Sequence, residues 1–222
     1  MTERVWAEWR NRVAAEYRSA AMTAAVLHGA IAAGFPPELL HTALRIVRDE
    51  LDHAELSHQC LTALGGPDAP IPLSAATLWP TAAADPLGDL VDRVVRDFCL
   101  GETFAVPLFD AMRRHATHPA VVPVVVRVLQ DEAIHRQFGW DALDVLLSLD
   151  PARVRPRVQA SVPALLAAFR DAYAPDGSAD PLTDDERSAG LLDLDDYRRC
   201  FGETLRDDVV PRFARRGIVT GS

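Results

Sequence analysis

Apolar residues recur along this chain at helical spacing, and the two-residue alternation of half-buried strands is almost absent. Residues 3–33 read as a long Ala-rich helix ended by Gly34 and Phe35. Pro36 and Pro37 open a second helix that runs to Gly65-Gly66, with apolar positions at 40, 43, 44, 47, 54, 61 and 64. A connection rich in Pro, Ala and Asp follows (GGPDAPIPLSAATLWPTAAADP). At roughly twenty residues it is long for a helical hairpin and suits a crossover between two helical pairs. A third helix over 87–116 contains Pro107, which predicts a kink or a local bulge. A fourth covers 119–149, and a fifth runs from Asp150-Pro151 to 173. An acidic loop (APDGSADPLTDDE) leads to a last amphipathic helix over 194–216. The pattern predicts an all-α protein. Residues 1–150 should form a four-helix bundle with one long crossover, and 151–222 should add C-terminal helices packed on it within the same domain.

Composition narrows the class. The chain has 222 residues, 49% apolar and 25% charged, enough for one domain with a substantial core. A net charge of −9 without a dense basic stripe argues against a nucleic-acid partner. No run reaches the length of a membrane span, and the opening MTERVWAEWRNRVAAEYR lacks the apolar region of a signal peptide. Cys60, Cys99 and Cys200 are isolated and odd in number, which suits neither a disulfide framework nor a zinc knuckle. A reduced, cytoplasmic protein without a membrane partner is expected.

Two segments break the apolar logic. VRDELDHAEL (47–56) and VLQDEAIHRQF (128–138) set ionisable groups inside packed helical runs, where burying a charge is costly unless something compensates it. Residues i and i+3 share a helix face, so Glu50 pairs with His53 and Glu132 with His135. Both pairs lie among apolar neighbours: Ala43, Val47, Ala54 and Leu61 for the first, and Val128, Gly139, Ala142 and Leu146 for the second. Asp49 and Asp131 precede them, and the two Asp-Glu-x-x-His motifs are offset by 82 positions at every matching residue. The preceding helices each carry one Glu in a small or apolar setting, Glu16 and Glu102, lying 34 and 30 positions before Glu50 and Glu132. Antiparallel hairpins of those lengths bring each pair to one height, so the chain contains an internal repeat. Four buried carboxylates repel strongly at low dielectric. Two divalent cations would cancel that charge, with two neutral imidazoles completing the donors. Oxygen and imidazole donors without thiolate suit iron or manganese better than zinc. A dinuclear metal site is expected.

This pattern resembles the ferritin-like diiron-carboxylate superfamily, in which two bundle helices supply a Glu each and two supply Glu-x-x-His. The resemblance covers residues 8–148 and leaves the last third of the chain unexplained. It implies that Glu16, Glu50, His53, Glu102, Glu132 and His135 are the metal ligands and the catalytic set, with Glu50 and Glu132 bridging. It also implies that Asp49 accepts the free ring N–H of His135 and Asp131 that of His53, fixing tautomer and basicity. Two iron ions are the implied cofactor, with an iron–manganese or manganese pair as alternatives and O2 as co-substrate.

The branch follows by elimination. The Cys-x-x-Cys iron module of rubrerythrins is absent. Ser57 and Gly139 stand one turn after the histidines, where radical-generating subunits place a Tyr, and Val128 stands where arylamine N-oxygenases add a third His. What remains is an oxygenase or oxidase for a small organic substrate, plausible in specialised metabolism, served by an external electron donor and acting as a monomer or homodimer. The alternative is a ferroxidase or iron-storage protein. Ala20, Thr23, Val106 and Gly139 should leave room for a substrate, and Thr103 should point away from the site. Tyr17, Trp6 and Trp9 read as helix-surface or interface aromatics, Cys99 as packing, and His28, His41, His58, His115 and His118 as surface or loop-end residues.

Overall fold

A computed structural model describes residues 1–69 and 84–221; residues 70–83, which hold most of the expected crossover, and Ser222 lie outside the described residues. All regular structure among the described residues is helical. The helices are α1 (Glu3–Ala32), α2 (Pro37–Ala63), α3 (86–115), α4 (Val122–Leu149), α5 (Pro151–Tyr173), α6 (Asp184–Ser188) and α7 (194–215). Local chemistry sets their ends. Thr2 accepts the Val5 N–H above α1, Asp85 that of Gly88 above α3, and Asp193 that of Asp196 above α7. Asp150 closes α4 and caps α5 through the Arg153 N–H. After α2, Gly65 takes a φ of 79°, a left-handed conformation that costs glycine nothing because it has no Cβ.

Three features depart from the sequence reading. Residues 118–121 form a turn of their own, closed by the Val121 N–H on the His118 carbonyl at 2.9 Å, so α4 starts three residues late. The short α6 was not expected; a capping box between Thr183 and Glu186 makes it. Glu186 also accepts from Thr2 at 2.8 Å, which ties the start of α1 to this loop.

The third departure bears on function. Helix α3 is α-helical over Pro86–Arg93, π-helical over Val94–Glu102 and α-helical again over Thr103–His115. The irregularity therefore lies before Pro107, not at it. A proline ring presses on the carbonyl four residues earlier, which here is Thr103, the first residue after the π segment. Pro107 thus acts at the junction where the widened turns end, with Gly101 and Glu102 on their last turn.

Helix α1 packs on α2 and on the first part of α3, and α4 packs on α2 and on α3. This leaves α2 and α3 on the diagonal, with the interior of the bundle enclosed by all four. Helix α5 lies on α3 and α4, and α7 on α3 and α5. Two apolar clusters fill the ends. One holds Val26, Ile46, Phe98 and Leu143 and continues into Val158 and Phe213 of α5 and α7. The other holds Val5, Trp9, Leu61, Met112 and Val125. Each fully buried large side chain contributes about 1.5–3 kcal/mol, so both ends hold firmly and keep water from the polar middle.

The buried stripe of α2 runs through Ala43, Ile46, Glu50, His53, Ser57 and Cys60. Leu44, expected inside, is 57% exposed and Val47 is only half-buried. The acids themselves fix the inward phase, and a residue one position off that stripe turns outward. Trp9, read as a helix-surface or interface aromatic, is buried, its indole N–H donating to the Ala189 carbonyl at 3.1 Å. Only the later C-terminal segment supplies that acceptor.

Candidate metal centre

Between the two apolar clusters lies a layer of buried ionisable groups: Glu16, Asp49, Glu50, His53, Asp131, Glu132 and His135. Glu102 joins them from the last π turn of α3, less deeply buried than the rest. The structure brings all six expected donors together in two overlapping groups. Glu16, Glu50, His53 and Glu132 form one; Glu50, Glu102, Glu132 and His135 form the other. Within each, the donor atoms lie within 4.8 Å of one another, and Glu50 and Glu132 belong to both. His53 Nδ1 stands 3.7 Å from Glu50 and 3.8 Å from Glu132; His135 Nδ1 stands 3.3 and 3.5 Å from the same two acids.

The imidazoles are oriented from behind. His53 Nε2 lies 3.2 Å from Asp131 and His135 Nε2 lies 3.3 Å from Asp49, each aspartate reaching across to the other repeat's histidine. With Nε2–H donated outward, each Nδ1 presents its lone pair to the acids. Those Nδ1 atoms have no hydrogen-bond partner, and neither does one carboxylate oxygen each of Glu50 and Glu132. Buried polar atoms are almost always paired. Four orphaned donor atoms converging on one place fit a cation-binding centre, and this buried acid and histidine cluster could hold metal.

The protonation of the cluster leads to the same place. Burial pushes the Glu16 carboxyl well up, and the charge of Glu50 adds to it. Burial does the same to Glu102, reinforced by Glu132 and Glu50. Burial alone would lower His135, but the carboxylates of Glu132 and Glu50 beside it outweigh that and push it up to about 11. His53 is raised against burial by Glu50 and Glu132. For Glu50 the cost of burial is overcome by His135 and His53, which hold its carboxyl low. The acids draw positive charge inward, and protons supply it when nothing else does.

Three groups escaped the sequence reading. Arg45 reaches Asp49 at 3.2 Å and Asp131 at 3.3 Å; Arg127 reaches Asp131 at 2.6 Å. They clamp the two aspartates from the solvent side. A signal was there, because Arg45 and Arg127 are separated by the same 82 positions as the motifs they support. Ser19, three residues after Glu16, donates to Glu50 at 2.9 Å.

A pocket of about 440 Å³ opens onto Glu16, Glu50, Glu102 and Glu132, bounded by α1, α3 and α5. The room in it comes from Ser19, Gly101 and Ala105, not from the four residues expected to provide it. Val106 lines a separate cavity with Pro107 and Arg136. Ala20 and Thr23 are buried without bordering the pocket. At Gly139 a Cβ would stand 2.5 Å from Phe98 Cβ and 2.8 Å from its carbonyl carbon, so the missing side chain lets α4 touch the π segment of α3. Thr103 is turned from the site and accepts the Trp140 indole N–H at 3.1 Å. Cys99 packs against the Gly139 carbonyl at 3.3 Å. Among the described residues, no helix is long and apolar enough to cross a membrane. No protein-family profile matches this chain, and no curated protein is similar to it.

Proposed function

We propose that the chain is a non-haem diiron oxygenase or oxidase of the ferritin-like kind, using O2 to oxidise a small organic substrate. The observation that carries this reading is the pair of overlapping donor groups that share Glu50 and Glu132 and open onto a pocket. Glu16 and His53 would hold one metal, Glu102 and His135 the other, and Glu50 and Glu132 would bridge them. A reduced iron pair, once bound, supplies the electrons and the coordination positions that activate O2.

The chain's own residues do the rest. Asp49 and Asp131 fix each histidine in the tautomer that offers Nδ1 inward. Arg45 and Arg127 hold those aspartates in place; for Asp131, hydrogen bonds from Arg127 and His53 keep the carboxyl low in spite of burial. Ser19 orients one Glu50 oxygen and sits at the pocket face. The apolar clusters exclude water from both ends of the site. Much of the pocket wall away from the four acids is carbon, which suits an organic substrate.

The test is direct. Protein loaded anaerobically with ferrous iron should bind two ions per chain, and should consume O2 on exposure to air. A preparation that binds fewer than one ion per chain sinks the reading.

A further inference from the structure

The pocket leaves a wall unaccounted for by the donor set. Helix α5 lies outside the bundle, yet it contributes Phe169 and Tyr173 to the pocket, which Met22 of α1 and Phe109 of α3 also line. The two α5 rings stack with centroids 5.8 Å apart and an angle of 11°. Phe169 rests on Phe104 at 5.5 Å, and Phe104 stacks on Phe201 of α7 at 4.8 Å. An aromatic ladder thus fastens the wall to two other helices, so the pocket is shaped before anything enters. Its volume of about 440 Å³ lies within the range of about 300–1,000 Å³ typical of small-molecule sites.

Charge decides what kind of molecule fits. The inner end is four carboxylates, two of which, Glu50 and Glu132, are almost wholly buried with an unpartnered oxygen each. Among the described lining residues the only base is Arg96, and Asp97 engages it through two contacts of 2.7 and 3.0 Å. Behind the lining, Arg12 stands over the Phe109 ring at 5.6 Å and is bonded to Glu8 at 2.9 Å, so among the described lining residues no free cation faces a carboxylate or phosphate. An anionic substrate would give up its hydration with no lining cation to replace it. Ring faces and a Met thioether instead favour flat, polarisable groups.

We infer that the pocket takes an uncharged aromatic molecule, gripped by Met22, Phe109 and the Phe169–Tyr173 wall. This rests on the oxygenase reading for its purpose but not for its binding, which the metal-free chain should already show.

The experiment titrates metal-free protein with indole, and separately with indole-3-acetate, following ligand saturation-transfer signals. Indole should bind saturably and the anion about tenfold or more weakly. Ala168 stands exposed at the pocket mouth on α5, so Ala168→Trp should keep the helical spectrum and weaken indole about tenfold. Ala172→Trp, equally exposed, serves if the first variant does not fold. Equal affinity for the anion, unsaturable indole, or a folded mouth variant that binds indole unchanged would each overturn the inference. Iron stoichiometry measured on the same preparations keeps the two readings apart. Indole binding without iron loading removes only the metal assignment; iron loading without indole binding removes only the substrate class.

Discussion

The two halves of the internal repeat share a motif and differ in how it is mounted. In the first half, α1 is regular throughout and delivers Glu16 from a continuous α-helix. In the second, α3 delivers Glu102 from the last turn of a π segment, beside Gly101 and at the edge of the pocket. Among the positions at which the matching helices α2 and α4 differ, one sets Ser57 in the first against Gly139 in the second. Gly139 lets α4 approach the backbone of the π segment, whereas the matching position holds the buried hydroxyl side chain of Ser57. The symmetric part of the repeat concerns charge; the asymmetric part concerns access. The pocket borders acids of both halves, and the deformed turns lie on its α3 side, as π turns often do at functional sites.

The largest test of that division compares a shared acid with an unshared one. Glu132→Ala removes a donor from both groups and should cost half of the bound metal or more, whereas Glu16→Ala should spare the second ion. Metal analysis after desalting reads both; equal losses would mean the groups are not built around common acids. Next comes pH. The raised carboxyls of Glu16 and Glu102 and the raised His135 hold protons that metal must displace. These groups stabilise the metal-free fold below their ordinary values, and that stabilisation fades as pH rises, for His135 through about 11. Metal affinity should therefore climb with pH, by about tenfold per unit for each proton displaced, as isothermal titration in buffers of different ionisation enthalpy would show. An affinity that falls as pH rises contradicts the proton inventory.

Third, Asp131→Asn should weaken metal binding or turnover about 10–100-fold without loss of the fold, because it holds His53 from the other repeat. Fourth, Gly139→Ser makes the second half copy the first. It should destabilise by about 1–3 kcal/mol through overpacking on Phe98, a fall in melting temperature of several degrees. Ser57→Gly should cost about 0.5 kcal/mol through helix propensity. Melting curves that rank the two swaps in the reverse order would remove the close α3–α4 contact from the account. The smallest effect belongs to the clamp. Arg45 is 52% exposed on its side chain, so solvent screens its ion pairs, and Arg45→Gln should loosen metal only a few-fold. Arg127→Gln should do slightly more, given its 2.6 Å contact with Asp131.

Much of this was legible before any coordinates. The i, i+3 spacing of Glu50/His53 and Glu132/His135, the upstream acids Glu16 and Glu102, and the arithmetic of buried charge depend only on helix geometry and electrostatics. Helix ends at Thr2, Asp150 and Gly65 follow from capping chemistry within a few residues of chain. The arginine clamp was legible too and was passed over, although Arg45 and Arg127 obey the same 82-residue offset. The exposure of Leu44 and the depth of Trp9 were not legible, because a hydropathy pattern counts apolar residues without knowing which phase the acids impose or which later segment covers a helix.

The sequence alone determined that the chain is helical, that six donors face a common interior, and that their charge demands a counter-charge. Those properties are written in short periods, and an α-helix repeats its geometry wherever it stands. Only the tertiary structure decided where the π turns fall, why Gly139 is bare, and that α5 closes a pocket with Phe169 and Tyr173. Such features arise where residues far apart in the chain meet, and no period along a single helix encodes the shape of the gap between two of them.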